Sequence, residues 1–193
     1  MNFLDLFAGI GGFRLGMEQA GHKCIGYVEF DKFARQSYEA MHDTKGEWTK
    51  HDITTVTDDE WRKLRGKVDI VCGGSPCQSF SMAGARRGFE DTRGTLFFNY
   101  VNAVKQVQPK YFLYENVKGM INHDRGNTIK TSLLAFSEIG YEIDFDVFNS
   151  KYYGVPQNRE RLFILGKRSD LVTDEERAIQ GNVPFIQQRL EFE

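Results

Sequence analysis

Short apolar runs alternate with segments of helical periodicity along most of the chain, and this alternation constrains the fold more than any other feature. The apolar runs have the length of buried strands: NFLDLF (2–7), CIGYVEF (24–30), VDIVCGG (68–74), KYFLYENV (110–117), YEIDFDVF (141–148) and RLFILG (161–166). Between them, helical spacing of apolar residues predicts helices over residues 12–20, 32–41, 58–64, 96–107 and 127–139. Such alternation is typical of an α/β fold with a mostly parallel sheet covered on both faces.

The two last predicted strands follow each other without a helix, so we expect them to pair antiparallel near the C-terminal end. In this fold class, ligands bind beyond the carboxyl ends of the parallel strands. We predict one domain over residues 1–168 and a polar, weakly patterned tail over residues 169–193.

The composition narrows the class of protein. The 193 residues are 40% hydrophobic and 27% charged, which is ordinary for a globular domain with a sizeable core. No apolar run approaches the roughly 18 residues that cross a bilayer, and the opening lacks the basic region of a signal peptide, so we expect a cytoplasmic protein. Cys24, Cys72 and Cys77, with four scattered histidines, indicate neither a disulfide framework nor a zinc site. The net charge of -2 means that any nucleic-acid site must be local.

A glycine-rich loop, AGIGG (8–12), links the first predicted strand to the first predicted helix. Backbone amides at such a helix N-terminus can bind a cofactor, although a purely structural turn is the favoured interpretation of the loop alone. Glu29 ends the next strand about 20 residues later, where an acidic side chain typically accepts hydrogen bonds from ribose. Asp52 and Ile53 follow a short third segment and suit the edge and face of an adenine ring. Helix capping is the alternative for either carboxylate.

Cys77 lies in GGSPCQSFS (73–81), just past a buried strand and at the same predicted sheet edge as the glycine loop. A free cysteine is only a few per cent thiolate at neutral pH, but it is intrinsically very nucleophilic. Burial as a small apolar residue is the alternative, and it suits Cys24 and Cys72 within strands. The polar loop and the preceding proline favour a nucleophile at Cys77.

Glu115 and two arginines are the charged candidates near the later strands. Glu115 ends FLYENV, where apolar neighbours should desolvate its carboxyl and raise the pKa toward that of a proton donor at neutral pH. Capping of a following helix is equally open. Arg159 and Arg161 lie two apart in QNRERLF, so an extended segment points both to one side and Glu160 to the other. The arginine pair suits a phosphate or an anionic intermediate, and a solvated strand is the alternative.

Seven short motifs occur in an order that resembles the DNA (cytosine-5)-methyltransferases: DLFAGIGGF, EFD, HDIT, GGSPCQSFS, RGTLFF, ENV and QNRERLF. Ordered agreement across seven motifs is far more specific than any single motif. The chain is identified as a member of this family, and PCQSFS resembles the bacterial DNA enzymes more than the tRNA-methylating branch. The resemblance implies a Rossmann-like fold that depends on S-adenosylmethionine, in a bacterial or phage-encoded protein of the restriction-modification type.

The resemblance also implies a cofactor site for S-adenosylmethionine, with S-adenosylhomocysteine as product and no metal. Phe7 and Phe30 would stack on the two faces of the adenine, Glu29 would hold the ribose hydroxyls, and Asp52 with Ile53 would recognise the adenine edge. The remaining implied residues of this site are Gly9, Ile10, Gly11, Gly12, Pro76 and Leu96.

The implied reaction is methylation of cytosine C5 in double-stranded DNA. Cys77 would add to C6 and push electron density onto C5, and Glu115 would share a proton with N3. Arg161 would contact the base carbonyl oxygen, and Arg159 would help to hold the cysteine loop and the intermediate. Because C6 is inaccessible in stacked DNA, the base must be flipped out at a cost of a few kcal/mol.

The loop over residues 79–92, with Arg86 and Arg87, would close over the DNA, and a mobile solvated loop is the alternative. After RERLFILGKR, the family continues with a target-recognition region and two further motifs, which we do not find here. We therefore expect a catalytic half that is weakly active or inactive alone: one chain of a split enzyme, an excised piece, or a gene remnant. In that case we expect a second polypeptide that supplies target recognition, or self-association of this chain.

A non-catalytic module that binds S-adenosylmethionine or a partner chain is the alternative function. A Rossmann-type oxidoreductase is disfavoured, because no hydride-transfer residues accompany the glycine loop.

Overall fold

The computed structural model describes residues 1–76 and 96–179. The strands within these ranges are Asn2–Leu6 (β1), Lys23–Val28 (β2), Trp48–Lys50 (β3), Ile70–Gly73 (β4), Tyr111–Val117 (β5), Tyr141–Asn149 (β6) and Glu160–Arg168 (β7). The helices are Gly12–Gln19 (α1), Lys32–Met41 (α2), Asp58–Arg62 (α3), Leu96–Val107 (α4), Asn127–Glu138 (α5) and Asp174–Ile179 (α6). No helix in the described part of the chain is long and apolar enough to cross a membrane.

The strands form a sheet in the order β3-β2-β1-β4-β5-β7-β6. β1 pairs in parallel with β2 and β4, β2 with β3, and β4 with β5, whereas β6 and β7 are antiparallel. The parallel strands end level with one another, because Leu6 pairs with Val28 and Gly73, Val28 with Lys50, and Gly73 with Tyr114. The predicted α/β fold, with a mostly parallel sheet and an antiparallel pair near the C-terminal end, is confirmed.

The chain divides into two compact units, Met1–Tyr114 and Glu115–Glu193, with the boundary inside β5. In the first unit, the core is built from fully buried side chains such as Leu4, Val71 and Tyr100. In the second unit, Leu133, Phe136 and Ile164 are fully buried. The predicted domain boundary after residue 168 stays a prediction.

Two elements have no counterpart in the apolar pattern. β3 is only three half-buried residues, and it forms by pairing with β2 where Gly26 lets the Trp48 carbonyl approach closely. α6 lies in the predicted tail and begins with a capping box. Thr173 Oγ1 accepts from the Glu176 N–H at 3.2 Å, and the Glu176 carboxylate accepts from the Thr173 N–H at 2.8 Å. Both elements depend on backbone and capping contacts rather than on apolar periodicity.

Arg14 is a buried cation that ties α1 to the segment after α2. Its guanidinium makes two 2.9 Å contacts with the Glu47 carboxylate and donates to the Asp43 carbonyl at 2.8 Å. Its Nε donates to Glu18 at 2.9 Å. A buried charge is stable only when it is paired and hydrogen-bonded. The position of α1, and of the glycine loop before it, therefore depends on this guanidinium.

Asp5 is a fully buried carboxyl on β1. Its Oδ2 accepts a long hydrogen bond of 3.4 Å from the Tyr38 hydroxyl, which accepts in turn from Arg14 at 3.5 Å. Its Oδ1 has no partner among the described residues. Burial raises the pKa of Asp5 to about 8, because the hydrogen bond from Tyr38 and the charge of Arg14 offset only part of the desolvation. Asp5 is therefore largely protonated at pH 7.

This burial predicts a pH-dependent stability. Unfolded aspartate titrates near pH 3.9, so between about pH 5 and 8 folded Asp5 holds a proton that the unfolded chain has lost. The unfolding free energy should fall as pH rises through this window, by up to roughly 1.4 kcal/mol per pH unit. Asp5→Asn should remove that slope in urea denaturation curves measured at each pH.

Asp69→Asn is the matched control. Hydrogen bonds from Lys110 and from the Asn2 N–H lower the pKa of Asp69, so its stabilisation is lost only at more acidic pH. This variant should lose stability but keep the wild-type slope between pH 5 and 8. An Asp5→Asn slope equal to that of the wild type would show that Asp5 is not protonated in the folded chain.

Candidate active site

The predicted site residues follow the level carboxyl ends of the parallel strands. Phe7 directly follows β1, Glu29 follows β2, and Asp52 comes two residues after β3. Pro76 comes three residues after β4, and Glu115 follows Tyr114, the last residue of β5 that pairs with β4. The sheet register therefore places the positions after β1, β2, β3 and β4 along one edge.

The glycine loop after β1 has an unusual backbone conformation. Phe7, Gly9 and Gly11 all have left-handed φ angles, of 56°, 57° and 95°. At Gly11, a Cβ atom would overlap the His42 imidazole, and the φ of 95° is strained for a residue with a side chain, so glycine is favoured there. Left-handed backbone at a residue such as Phe7 costs energy and persists where the surrounding structure enforces it, often at functional sites. Gly12 opens α1 and has free space beside it.

Glu29 is hydrogen-bonded directly to this loop. Its Oε2 accepts from the Gly9 N–H at 2.7 Å, and its Oε1 accepts from the Asp31 N–H at 2.7 Å. Each carboxylate oxygen has a further lone pair, so both remain able to accept from a ligand hydroxyl. The predicted ribose acceptor and the predicted glycine loop are thus brought together.

Two apolar side chains of the predicted cofactor site face solvent. Phe30 is 75% exposed, and Ile10 in the glycine loop is 59% exposed. Arg35 holds the backbone beside Phe30 by donating to the carbonyl oxygens of Glu29 and Phe30, at 2.9 and 2.6 Å. The sequence gives no signal for this role, since Arg35 has the pattern of a solvated position on α2. The Phe30 ring is therefore exposed to solvent on a backbone that hydrogen bonds hold in place.

Asp52 caps the 3₁₀ turn Ile53–Thr55, as its alternative interpretation predicts. Its Oδ1 accepts from the Thr54 N–H and hydroxyl at 2.9 and 2.7 Å. Its Oδ2 has no partner in the described part of the chain, so capping leaves one oxygen for a ligand. Ile53 is buried, and Leu96 is half-buried at the start of α4.

Cys77 and the loop over residues 79–92, with Arg86 and Arg87, lie outside the described residues. The chain leading to Cys77 is fixed, because the buried Ser75 hydroxyl is 2.7 Å from the Tyr114 hydroxyl on β5. Sequence reasoning missed Ser75, whose only signal is its place two residues before the cysteine. Pro76 is exposed.

The two other cysteines are buried inside strands, as the packing interpretation predicts. Cys24 is 3% exposed and Cys72 is fully buried. Burial raises the pKa of the Cys24 thiol to about 12, and it raises the pKa of the Cys72 thiol well above its ordinary value. Neither thiol forms a thiolate at neutral pH, so neither competes with Cys77 for the role of nucleophile.

Glu115 forms an ion pair with Arg161. The Arg161 Nε is 2.8 Å from the Glu115 Oε1, and both side chains are about one quarter exposed, at 23% and 25%. Desolvation raises the pKa of the Glu115 carboxyl even though the charges of Arg161 and Arg159 oppose that rise. Capping is not its role, because Val117 is the N-cap of the next turn. The site therefore holds a carboxyl that gains a proton more readily than an ordinary glutamate.

The two residues that precede Arg161 differ in their partners. Glu160 pairs with Lys118, with distances of 3.0 and 3.1 Å to its two oxygens, whereas the exposed Arg159 acts electrostatically on Glu115. Both arginines thus favour the ionised form of Glu115, and Glu160 takes no part.

A test of this arrangement is the pKa of Glu115 itself, followed by NMR on carboxyl-labelled protein. Arg161→Gln should raise the Glu115 pKa further, because it removes a positive charge and a hydrogen bond that favour the carboxylate. Lys118→Gln should leave this pKa nearly unchanged, since Lys118 pairs with Glu160. A pKa that falls in Arg161→Gln, or that moves equally in both variants, contradicts the assignment.

The fold is that of the Rossmann-like methyltransferases. The family model for C-5 cytosine-specific DNA methylases matches residues 1–191, and the chain belongs to this family. Among the described residues, no group of His, Cys, Asp and Glu side chains could hold a metal ion.

Curated relatives come from phages and bacteria. The chain is 48% identical over 178 residues to the orphan methyltransferase M.SPRI of Bacillus phage SPR, covering 91% of this chain and 40% of that protein. It is 49% identical over 166 residues to the type II methyltransferase M.HpaII of Haemophilus parainfluenzae, covering 85% and 45%. The chain thus spans less than half the length of these relatives.

Solved structures agree on the fold. A DNA modification methyltransferase encoded within an E. coli prophage aligns with a TM-score of 0.71 and 27% identity, covering 91% of this chain and 49% of that one. The Dnmt2 methyltransferase of S. pombe aligns with a TM-score of 0.67 at 22% identity, covering 88% and 50%; this likeness concerns the fold alone.

Proposed function

We propose that this chain carries out the chemistry of cytosine C5 methylation in DNA, with S-adenosylmethionine as methyl donor and Cys77 as nucleophile. The observation that carries the proposal is the half-buried Glu115–Arg161 pair, in a chain whose family match spans residues 1–191. The curated relatives named above are methyltransferases.

The residues after β1, β2 and β3 fit S-adenosylmethionine, which supplies an electrophilic methyl group when bound. Glu29 retains lone pairs for ribose hydroxyls, and Asp52 retains one oxygen for the adenine amino group. Phe30 presents an exposed ring for stacking. The glycine loop offers free space beside Gly12, at the start of α1.

The proposed chemistry begins with a bond between the Cys77 sulfur and cytosine C6. The displaced electron pair enters the ring as N3 takes a proton from Glu115, and C5 becomes nucleophilic enough to take the methyl group, whose bond to the cofactor sulfur breaks and leaves S-adenosylhomocysteine. A solvent base then removes the C5 proton, which restores the C5–C6 double bond and expels the Cys77 thiolate, and N3 returns its proton to Glu115. The raised pKa of Glu115 suits the donor role, because more of the carboxyl is protonated near neutral pH.

Arg161 has two proposed tasks in this reaction. It orients the Glu115 carboxyl through the 2.8 Å contact, and its remaining N–H groups can donate to the base carbonyl oxygen. Arg159 is placed two residues earlier and supports the intermediate electrostatically. We do not assign the choice of target sequence to this chain. Three expectations stay predictions: slow or no turnover by the isolated chain, a second polypeptide that supplies target recognition, and self-association.

The experiment is covalent trapping with a DNA oligonucleotide that carries 5-fluorocytosine. The fluorine replaces the proton that C5 must lose in the last step, so the covalent adduct cannot break down. The base is placed in a single strand or a mismatch, so that little energy is needed to expose C6. With S-adenosylmethionine present, we expect a stable adduct by mass spectrometry, absent in Cys77→Ser. Glu115→Gln should slow adduct formation by roughly 100-fold or more.

Glu160→Gln is the matched control, because Glu160 lies beside Arg161 but pairs with Lys118. It should form the adduct at the wild-type rate. Binding of S-adenosylmethionine without any adduct in the wild-type chain would instead favour a non-catalytic module.

A further inference from the structure

An exposed loop between β6 and β7 is the surface that the proposed chemistry leaves unexplained. We call residues 150–159, SKYYGVPQNR, the tyrosine loop. Every residue from 151 to 159 is exposed, including Tyr152 at 76%, Tyr153 at 65% and Val155 at 47%. Large apolar side chains grouped in this way on a surface commonly mark a binding site.

The tyrosine loop is ordered although it is exposed. The Ser150 N–H donates to the Arg159 carbonyl at 3.1 Å, and the Ser150 hydroxyl donates to the Gln157 carbonyl at 2.6 Å. The Asn149 side chain caps the turn Ser150–Tyr153 and also donates to Asn158 at 2.7 Å. These bonds close the base of the loop, so its aromatic side chains are displayed at little cost in conformational entropy on binding.

The chemistry of the tyrosine loop is that of an anion-binding surface. It contains Lys151 and Arg159 but no Asp or Glu, and neither cation forms an ion pair with a described residue. Lys151 Nζ lies 4.8 Å from the centre of the Tyr152 ring, so the positive charge and the aromatic ring lie next to each other on the loop surface. The hydroxyls of Tyr152 and Tyr153 have no hydrogen-bond partner within the described ranges.

The tyrosine loop leads directly into the catalytic pair. It ends at Arg159, and β7 then carries Glu160 and Arg161, which pair with Lys118 and Glu115 at the end of β5. A cytosine brought to Glu115 remains attached to its own strand. The nucleotides on either side of the cytosine must therefore pass close to the start of β7.

We propose that the tyrosine loop binds the DNA strand beside the target cytosine, with Lys151 on a phosphate and the Tyr152 ring against a neighbouring base or sugar. This inference rests on the proposed function. Phosphate contacts from Lys, Arg and Tyr position a protein on DNA, and bases stack on exposed aromatic rings. The absence of carboxylates in the loop sequence favours a polyanion over a protein surface of mixed charge.

The experiment measures binding of the full chain to a fluorescent oligonucleotide with a mismatched 5-fluorocytosine, across a salt series. Lys151→Gln should lower the slope of log affinity against log salt by roughly one, the value for one lost phosphate contact. Tyr152→Ser should weaken binding roughly 5- to 100-fold, and Tyr152→Phe should retain most of the affinity, because it keeps the stacking ring. All three substitutions lie at exposed positions, so folding is preserved.

Lys130→Gln and Leu134→Ser on the exposed side of α5 are the matched controls for charge and for apolar surface. They should bind DNA as the wild type does. At saturating DNA, the adduct rate should be the same in Tyr152→Ser and in the wild type, because Tyr152 acts in binding and not in bond formation.

The possible failures are distinguishable. A wild-type chain that binds DNA but forms no adduct contradicts the proposed function. If the adduct forms but all variants bind DNA with the same affinity and the same salt slope, the role of the tyrosine loop is overturned. The role is also overturned if the affinity of the wild-type chain for DNA does not depend on salt. If Tyr152→Ser changes only the sedimentation of the chain, the loop is a protein contact and the DNA assignment is wrong.

Discussion

The level register of the parallel strands is the constraint on which the candidate site depends. Leu6, Val28, Lys50, Gly73 and Tyr114 pair across successive strands, so residues that are far apart in sequence emerge at one edge of the sheet. The close approach of β4 to β1 reinforces this register, since a Cβ on Gly73 would overlap the Leu6 carbonyl. A one-residue slip would turn every following side chain to the opposite face.

Burial raises the pKa of two carboxyls, with different consequences. Asp5 is fully buried and its hydrogen bond from the Tyr38 hydroxyl is long, so its proton belongs to the stability of the fold. Glu115 keeps one quarter of its side chain exposed and has two arginines acting on it, so its proton can exchange with solvent. The difference follows from solvent access and from the compensating positive charge, and it separates a structural acid from a candidate catalytic one.

The order of strands and helices could be predicted from the sequence because apolar periodicity reports which faces are buried. The predicted bounds of α2 and α4 agree with the structure at both ends. α6 is not predicted, because the capping box at Thr173 is not an apolar signal. β3 is expected only as a short third segment without bounds, since its pairing beside Gly26 leaves no apolar run in the sequence. A TxxE pattern before α6 was the available clue.

The sequence also predicts which residue types gather at the sheet edge, but not their contacts. The bond from Gly9 to Glu29 joins residues 20 apart, and the Arg35 support of Phe30 depends on how α2 packs after its N-cap at Asp31. Such contacts depend on side-chain direction in three dimensions, which periodicity does not encode. The role of Cys77 stays a prediction, because it lies outside the described residues.

The most direct test of cytosine methylation is to identify the methylated nucleoside itself. The chain is incubated with isotope-labelled S-adenosylmethionine and a mismatched cytosine oligonucleotide, and the DNA is then digested and analysed by mass spectrometry. We expect labelled 5-methylcytosine, which should be absent with Cys77→Ser. Labelled N4-methylcytosine or N6-methyladenine, or bound S-adenosylmethionine with no transfer of label, would contradict it.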